Sequence, residues 1–482
     1  MAMQAYKIAQ NKTFCTGGHE FLYLVADNAL FEMDASTREQ LEPWFLKNDF
    51  TREEFLGGRE DDAGEEKGDF FTGLLQRHII VPAAKDMVQS KMPASVPISV
   101  PLKTLVLQLT EACNLDCSYC YYAQKRTNLG QTGRMTSAVA RRAVDFLLEQ
   151  SGNRRDLELV FFGGEPLLNF ELLASVVRYA RGKAEEKEKK IDFALTTNGT
   201  LVTPEITRFL VENRIGVTIS IDGSEEIHNR FRCYPDGTPS YEVIVSNTRG
   251  LLEGTLHRPV VARVTVAKNS GDLMLVLHQL LKLGFAEVGF GPVTSDNPGY
   301  RLDNEETMLL LEQFKVLSRK FLEVAHEGAF LGFSNLIDLL VTIHEGERKQ
   351  YSCGAGLGLF SVDHRGSLYL CQRFTGEEEF CMGDIFEGFD HQKLASFRDH
   401  ADVKGRGECN QCWVRNVCAG GCYHEAWTRV GSPVSPNVHY CEWIKQWVQT
   451  GLEIYGEISL TCPEYLDHLS WLRGVSSEHL TN

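Results

Sequence analysis

The sequence predicts an α/β fold whose centre is a partial (β/α)6 barrel. From residue 103 to about residue 325, six apolar segments alternate with segments of helical periodicity. The apolar segments are nearly continuous, which indicates strands buried on both faces of a parallel sheet that helices cover. Six strand–helix units are too few to close an eight-stranded barrel. The composition changes before residue 101 and again after about residue 345, which predicts a further domain at each end.

The barrel strands can be located from their apolar runs. They are KTLVLQL (103–109), LELVFF (157–162), IDFALTT (191–197), GVTISID (216–222), VVARVTV (260–266) and AEVGFGP (286–292). Helical segments follow at 136–150, 170–189, 203–213, 241–254 and 271–283. Ligands of parallel α/β folds bind at the carboxyl ends of the strands. We therefore expect the functional residues directly after each strand.

The first hundred residues have a different pattern. The segment EFLYLVADNALFEMD (20–34) predicts a β-hairpin, with its turn at Asp27-Asn28. Helical patterns follow near 36–47 and 69–77. The acidic segment between them, 51–69, predicts a solvated loop.

Three domains follow from these changes of pattern. The segment 93–101 carries three prolines and predicts a linker. The predicted domains are 1–100, which includes the linker, 101–330 for the barrel and 331–482 for a segment rich in Gly and Cys. That last segment has few long helical patterns before a helical tail after Cys441, so we expect metal centres to supply cross-links that its small apolar core lacks.

Charge and hydropathy exclude several functions. Lys and Arg number 49 and Asp and Glu number 65, so the formal net charge is −16. Generic nucleic-acid binding needs a cationic surface, so we expect no nucleic-acid partner. No apolar run approaches the roughly 20 residues that span a bilayer. The first residues, MAMQAYKIAQNK, lack the apolar core of a secretory signal. We expect a soluble, cytoplasmic protein without a membrane partner.

The 14 cysteines indicate metal ligation, because disulfides are rare in a reducing compartment. Cys113, Cys117 and Cys120 come directly after the first barrel strand, with three and two residues between them. Three thiolates at this spacing can bind one face of a [4Fe–4S] cluster and leave its fourth iron open, since such clusters take four ligands. The alternative is a zinc site with a distant fourth ligand.

Polar motifs follow the next three strands. They are Gly163-Gly164-Glu165-Pro166, Thr196-Thr197-Asn198-Gly199-Thr200 and Ser220-Ile221-Asp222-Gly223. The two glycines would let a ligand approach exposed backbone N–H groups, and Glu165 could bind a cation. Arg230 and Arg232 could hold a carboxylate bidentately. The alternatives are an ordinary turn for the first motif and surface charge for the arginines.

A second group of cysteines lies in the last domain. Its seven members are Cys353, Cys371, Cys409, Cys412, Cys418, Cys422 and Cys441. Their number and spacing indicate metal binding, either to iron–sulfur clusters or to two structural zinc ions. Cys15, Cys233, Cys381 and Cys462 stand apart, and we interpret them as buried or incidental thiols.

The order of these motifs on successive strands resembles the radical S-adenosylmethionine (SAM) superfamily. The resemblance implies that Cys113, Cys117 and Cys120 ligate the catalytic [4Fe–4S] cluster, whose open iron binds the SAM amino and carboxylate groups. Reductive cleavage of SAM then yields a 5′-deoxyadenosyl radical that abstracts a substrate hydrogen. It also implies that Gly163, Gly164 and Glu165 lie at the SAM amino group. Asn198, Ser220 and Arg232 are implied contacts of the SAM ribose and carboxylate.

The later cysteines resemble the SPASM extension of peptide-modifying radical SAM enzymes, which holds two auxiliary [4Fe–4S] clusters. The resemblance implies three clusters in all. Cys409, Cys412, Cys418 and Cys441 would bind the distal one, and Cys353, Cys371 and Cys422 the one nearer SAM. The second set has three members, so either an iron stays open, able to bind a substrate thiolate, or another residue completes the set. Cys381 is the nearest spare thiol.

Two partners are implied as well. The N-terminal hairpin domain resembles the winged-helix-like element with which many ribosomal-peptide modifiers bind a leader peptide by strand addition. The alternative for this domain is a structural cap. A ferredoxin or flavodoxin is the implied electron donor.

The strongest resemblance is to the enzymes that mature quinohaemoprotein amine dehydrogenase. It rests on FFGGEPLLNF (161–170), LTTNGTLVTPEI (195–206), GVTISIDG (216–223), CGAGLGL (353–359) and CAGGCYHEAW (418–427). It implies thioether bonds from cysteine sulfur to the β- or γ-carbon of Asp or Glu, within the small, Cys-rich subunit of a quinohaemoprotein amine dehydrogenase.

Three other functions stay open. They are a thioether-forming maturase of another Cys-rich ribosomal peptide, an anaerobic sulfatase maturase that makes formylglycine, and a scaffold that only binds a peptide. Sulfatase maturases carry an acid directly after the cysteine that corresponds to Cys371, whereas Gln372 stands here. Candidates for a base that deprotonates a substrate thiol are Asp222, Asp363 and His424.

Overall fold

The computed structural model describes residues 4–57, 62–83, 101–122, 133–254, 258–295 and 297–474. The strands are β1 (Ala5–Ile8), β2 (Asn11–Thr16), β3 (His19–Leu24), β4 (Ala29–Met33), β5 (Phe50–Thr51), β6 (Ile80–Pro82), β7 (Thr104–Gln108), β8 (Asp156–Phe162), β9 (Lys190–Thr197), β10 (Gly216–Ser220), β11 (Val261–Val266), β12 (Glu287–Pro292), β13 (Leu359–Val362), β14 (Ser367–Tyr369), β15 (Cys381–Asp384) and β16 (Gly388–Phe389).

The α-helices are α1 (Ala35–Phe45), α2 (Arg52–Leu56), α3 (Asp62–Gln76), α4 (Ser137–Gln150), α5 (Phe170–Glu186), α6 (Pro204–Glu212), α7 (Glu225–Phe231), α8 (Tyr241–Leu252), α9 (Leu273–Lys282), α10 (Asn304–His326), α11 (Ser334–His344), α12 (His391–Ala401), α13 (Gly407–Asn410), α14 (Arg415–Cys418), α15 (Tyr423–Val430), α16 (Val438–Thr461) and α17 (Glu464–Leu472). Short 3₁₀ turns lie at Pro166–Asn169, Gln372–Phe374, Glu378–Phe380 and Val403–Gly405. None of the helices in the described ranges is long and apolar enough to cross a membrane.

A ten-stranded sheet organises the molecule, and its first six strands are the predicted partial barrel. Its order is β12-β11-β10-β9-β8-β7-β13-β14-β15-β16. Strands β7 to β12 pair in parallel, each with its neighbour in the chain. The α/β fold and the six strand positions are confirmed, because buried apolar strands that alternate with helices fit a parallel sheet.

Local sequence signals begin and orient the helices around the barrel. The Thr136 hydroxyl accepts from the N–H of Val139 at the start of α4, and Thr203 caps α6 in the same way. Helix α4 buries one apolar face, which includes Ala140, Val144 and Leu147, against the sheet. Each helix thus returns the chain to the amino end of the next strand and leaves the carboxyl ends free for a site.

The Cys-rich segment is continuous with the barrel. Strand β13 pairs in parallel with β7, with Leu359 opposite Thr104, and β14 to β16 extend the sheet in antiparallel order. The later cysteines are therefore carried by an extension of the barrel sheet. The domain limits at residues 100 and 330 stay predictions, and residues 93–100 of the predicted linker lie outside the described residues.

The N-terminal region contains more structure than the sequence predicted. The predicted hairpin is present as β3 and β4, but β2 joins it, and β5, β1 and β6 form a second three-stranded sheet. The solvated loop predicted for 51–69 is wrong, because α2 and the start of α3 lie there. Thr51 and Glu54 form a reciprocal capping box, and Phe55 is buried against Phe50 and Phe71.

Asn28, in the predicted turn, ties this region to the barrel. It is fully buried and its φ of 50° lies in the left-handed region. Its side-chain oxygen accepts from the Tyr23 hydroxyl at 2.8 Å. Its amide donates to the carbonyl oxygens of Thr342 at 3.1 Å and Glu347 at 2.8 Å, at the end of α11. One side chain therefore satisfies buried groups on both sides of this contact.

We expect Asn28→Ala to lower the free energy of unfolding by about 1–3 kcal/mol, because it leaves buried polar groups without partners. Urea denaturation followed by far-UV circular dichroism measures the change. Exposed Asn48→Ala is the matched control and should leave the midpoint unchanged. Equal midpoints for the two variants would contradict the assignment of Asn28 as the tie.

Candidate active site

The ends of the barrel strands surround a cavity of about 440 Å³. Cys113, Cys117 and Cys120, on the loop after β7, all line it. The lining also contains each of the other predicted SAM-site residues: Gly163, Gly164, Glu165, Asn198, Ser220 and Arg232. The structure thus brings these nine residues together around one cavity.

Gly163 and Gly164 hold the cysteine loop by close backbone packing. A Cβ atom on Gly163 would lie 2.4 Å from the Thr110 carbonyl oxygen, and one on Gly164 would lie 2.2 Å from that of Ala112. The N–H groups of Gly164 and Glu165 donate to these same two oxygens, each at 2.8 Å. The expectation that this motif offers free N–H groups is therefore wrong for these two, since both serve the loop.

Glu165 connects the ends of two strands inside the cavity wall. Its carboxylate accepts from Thr197 Oγ1 at 2.7 Å, from the N–H of Asn198 at 2.7 Å and from the N–H of Leu167 at 3.0 Å. Burial raises the pKa of Glu165 to about 7, against the lowering effect of these three donors. The carboxylate is thus fixed in place at the cavity and its charge would be stabilised by a cation there.

The amide of Asn198 reaches the cysteine loop directly. Its Nδ2 atom donates to Asn114 Oδ1 at 3.0 Å and lies 3.7 Å from Cys113 Sγ. Its Oδ1 atom accepts from the N–H of Thr200 at 3.0 Å and from the Thr200 hydroxyl. Asn198 therefore orients Cys113 from the end of β9, as the N–H of Leu115 does at 3.4 Å.

Arg232 stands beside Cys117 in a buried ion pair. Its Nε donates to Asp222 Oδ2 at 3.0 Å, its Nη1 lies 4.0 Å from Cys117 Sγ, and it faces the ring of Tyr119. Tyr119 also donates to Asp222. The prediction that Arg230 also binds a carboxylate in this cavity is wrong. It donates to the Asn269 carbonyl oxygen and to Glu226, and it is not among the lining residues.

Burial favours the neutral form of the Cys117 thiol. It raises the pKa of Cys117 to about 12, with Arg232 opposing the shift and Cys120 and Cys113 adding to it. A bound cation releases the proton, because metals bind the thiolate. Among the described residues, no three Cys, His, Asp or Glu side chains converge on one ion. The thiols border a cavity instead, as a multi-iron cluster requires.

The seven later cysteines form a set of three and a set of four. After the larger effect of burial, the Cys422 thiol raises the pKa of both Cys353 and Cys371, so these three cysteines lie close together. Cys412 likewise raises the pKa of Cys409, Cys418 and Cys441, and these four cysteines line a second cavity of about 290 Å³. We call these sets the trio and the quartet. Their membership matches the two ligand sets implied by the SPASM resemblance.

The trio lies next to the first cavity. Tyr121, which follows Cys120 in the chain, interacts with both Cys120 and Cys371, and burial raises its pKa. Gln372 and Arg373, which follow Cys371, line the first cavity. Arg373 lines the second cavity as well. A single wall of side chains therefore separates the first cysteine group from the trio.

Arg406 is the residue that sequence reasoning missed between the trio and the quartet. It is 4% exposed, and its three guanidinium nitrogens make no hydrogen bond to any described residue. It lowers the pKa of both Cys353 and Cys409, against the larger effect of burial. A buried cation with unused donors fits anionic sulfur on either side of it. No sequence motif predicts its role, because it is a single residue between the 3₁₀ turn Val403–Gly405 and helix α13.

Other predicted candidates lie elsewhere. Cys381 Sγ donates to the Gly383 carbonyl oxygen at 3.4 Å on β15, where Cys381 pairs with Tyr369 of β14. Asp363 accepts from the N–H groups of Arg365 and Ser367 in a turn. Neither Asp222 nor Asp363 nor His424 is among the residues that line the first cavity. His424 packs between aromatic rings that include Tyr121 and Phe374.

Comparison with known proteins places this arrangement in a family. The model of the radical SAM superfamily matches residues 107–270. An uncharacterized protein of Methanocaldococcus jannaschii is 37% identical over 288 residues, which are 59% of this chain and 89% of that protein. This chain belongs to the radical SAM superfamily. Enzymes of this superfamily use SAM and a [4Fe–4S] cluster, and the residues around the first cavity fit both.

Two further relatives of this radical SAM enzyme align over most of its length. A cysteine-type anaerobic sulfatase-maturating enzyme of Clostridium perfringens is 26% identical over 371 residues, which are 72% of this chain and 96% of the relative. The solved structure of native anSMEcpe with bound AdoMet and Cp18Cys peptide has a TM-score of 0.62 at 23% identity. It covers 74% of this chain and 99% of its own. The fold is therefore that of a radical SAM enzyme with a C-terminal extension.

We expect Gly164→Ala to weaken SAM binding at least tenfold, because the new Cβ would displace the loop that carries Cys113. Equilibrium dialysis against labelled SAM measures the change. Gly182→Ala in α5 is the matched control. Nothing lies within 4 Å of its added Cβ, so it should bind SAM as the parent does. Normal SAM affinity in Gly164→Ala would show that the close packing is dispensable.

Proposed function

We propose that this radical SAM enzyme is a maturase that removes two hydrogens from a cysteine-containing peptide or protein. The observation that carries the proposal is the position of the trio beside the first cavity, with Tyr121 and Arg373 between them. In this proposal Cys113, Cys117 and Cys120 ligate the SAM-binding [4Fe–4S] cluster. The trio and the quartet each ligate an auxiliary cluster.

The trio has three thiols, and the Sγ of Cys381, the nearest spare thiol in the sequence, donates to the Gly383 carbonyl oxygen on β15. Its cluster would therefore keep an open iron for the sulfur of a substrate cysteine. A substrate carbon in the first cavity would then lie beside that sulfur. This arrangement favours a thioether bond between cysteine sulfur and the β- or γ-carbon of an Asp or Glu.

Formation of the thioether bond removes two hydrogens from the substrate, one as a hydrogen atom and one as a proton with a separate electron. When bound, SAM and its cluster would supply a 5′-deoxyadenosyl radical, which would remove a hydrogen atom from the substrate carbon. The substrate thiol would lose its proton, the C–S bond would form, and the auxiliary clusters held by the trio and the quartet would take up the remaining electron. The protein's own residues position the reactants: Glu165, Asn198, Ser220 and Arg232 for SAM, and the cavity wall for the peptide. A ferredoxin or flavodoxin would supply the electron that cleaves SAM.

Formylglycine formation is the second candidate, because the relative from Clostridium perfringens is a sulfatase-maturating enzyme. The named relatives support it better than they support maturation of a dehydrogenase subunit. Against it, Gln372 stands at the cavity where the sulfatase maturases are expected to carry an acid. Glu165 is the one carboxylate among the described lining residues, and three donors already hold it.

The N-terminal region is proposed as the peptide-recognition element. Its two three-stranded sheets end in short or partly exposed strands, such as β2 and β5. An extended leader peptide binds such edges by adding a strand.

Co-expression with small Cys-rich proteins or a sulfatase fragment, followed by mass spectrometry of the substrate, tests the proposal. A thioether removes two hydrogens per crosslink and blocks thiol alkylation. Formylglycine made from cysteine also exchanges sulfur for oxygen. The variant with Cys113, Cys117 and Cys120 all changed to Ala should leave every substrate unmodified, whereas Cys15→Ala should match the parent. SAM cleavage by the triple variant would overturn the ligand assignment.

We expect Arg406→Met to lower the midpoint potential of an auxiliary cluster by roughly 60 mV, equal to a tenfold change in a one-electron equilibrium. The physical reason is the loss of a positive charge and of N–H donors beside sulfur. Redox titration followed by electron paramagnetic resonance measures the shift. Arg406→Lys should shift the potential less.

Arg365→Met is the control for that experiment, because its side chain is 66% exposed in the same C-terminal region. The apoprotein of Arg406→Met should unfold at the parent's urea concentration or higher, since replacing a buried charge with an apolar side chain is neutral or stabilising. Unchanged potentials together with a less stable apoprotein would mean that Arg406 is only structural.

A further inference from the structure

Arg263 projects from β11 into the first cavity. Its neighbours on the strand, Ala262 and Val264, are buried on the other face, whereas Arg263 lines both cavities. The paired strand β12 places Gly289 opposite Arg263 and Gly291 two positions on. A Cβ on Gly291 would lie 2.0 Å from Arg263 Nη2. The sequence GFGP thus leaves room for one guanidinium.

The guanidinium has no ion-pair or hydrogen-bond partner among the described residues. At the cavity it lies near a second cation, Arg373, whose Nη1 donates to Thr294 Oγ1 at 2.8 Å. Burial and the charge of Arg373 lower the pKa of Arg263, whereas the carboxylates of Asp222 and Asp338 raise it. An anion between the two arginines would relieve the repulsion.

The position of Arg263 separates it from the predicted SAM contacts. Glu165, Asn198 and Ser220 come from β8 to β10 and line only the first cavity. Arg232 is already paired with Asp222. Arg263 and Arg373 instead stand where the first cavity meets the cavity of the quartet. That is the side on which a substrate would lie between the SAM site and the trio.

We propose that Arg263, supported by Arg373, binds the side-chain carboxylate of an Asp or Glu in the peptide substrate. A guanidinium matches a carboxylate with two parallel hydrogen bonds, which would fix the adjacent carbon. This inference rests on the proposed function, and it names the acidic residue as the part of the substrate that enters the cavity. Arg263 is then the specificity-determining residue.

Equilibrium dialysis of the anaerobically reconstituted, SAM-saturated enzyme tests this with three small probes. They are N-acetylaspartate N-methylamide, its asparagine counterpart and N-acetylalanine, whose carboxylate is terminal. We expect the aspartate probe to bind at least ten times more tightly than the asparagine probe. Arg263→Met should abolish that preference and leave the affinity for SAM within twofold. Arg208→Met, on the exposed face of α6, should change neither.

Several results would overturn the inference. They are equal or absent binding of the aspartate and asparagine probes, an unchanged preference in Arg263→Met, tighter binding of N-acetylalanine, or loss of SAM affinity in place of carboxylate affinity. If Arg263→Met does not fold by circular dichroism, Arg263→Lys replaces it. That variant keeps the positive charge but cannot form two parallel hydrogen bonds to a carboxylate. Its preference for the aspartate probe over the asparagine probe should be at least threefold smaller than that of the parent.

The inference and the proposed function can fail separately. Formation of 5′-deoxyadenosine with dithionite, and substrate mass, report on the proposed function. Parent enzyme that prefers the aspartate probe but modifies no peptide would leave the carboxylate site standing alone. Parent enzyme that forms formylglycine and shows no preference would overturn the carboxylate site and leave peptide maturation intact.

Discussion

Close backbone contact between the cysteine loop and the ends of β8 and β9 is the constraint on which the site depends. Gly163 and Gly164 allow the carbonyl groups of Thr110 and Ala112 to approach where any side chain would collide. Glu165 then connects the ends of β8 and β9 through two hydrogen bonds, from Thr197 and Asn198, and the amide of Asn198 lies beside Cys113. The main structural role of the motif GGEP is therefore to position the loop that carries the three thiols at the carboxyl ends of the parallel strands. Its contact with a cofactor depends on that packing.

A second constraint is the continuation of the barrel sheet by β13. Because β13 lies between Cys353 and Cys371 and pairs with β7, the segment that carries these two cysteines runs beside the strand that leads to the first cysteine loop. The trio is thereby held against Tyr121 and Arg373, and the quartet lies beyond Arg406. The trio therefore lies between the first cysteine group and the quartet. Such a series suits an enzyme that must both supply an electron and remove one.

Much of this arrangement follows from the sequence. Apolar strands predicted the barrel, and cysteine spacing predicted three groups of thiols. The first group lines the first cavity and the quartet lines the second, while cluster ligation stays a prediction. The acidic segment 51–69 misled, because composition does not reveal that Phe55 anchors a helix in a small core. Arg263 and Arg406 could not be predicted from the sequence pattern. Arg406 stands out because its guanidinium makes no hydrogen bond to a described residue, and Arg263 because it lines both cavities, and both features arise only in the folded chain.

The central claim is that three groups of cysteines hold three iron–sulfur clusters. Iron, sulfide and zinc analysis of the anaerobically reconstituted protein, combined with Mössbauer spectroscopy, tests it most directly. The account predicts about twelve iron and twelve sulfide per chain, all in [4Fe–4S] form. About four iron per chain would confine the claim to Cys113, Cys117 and Cys120. Zinc without iron would contradict it entirely.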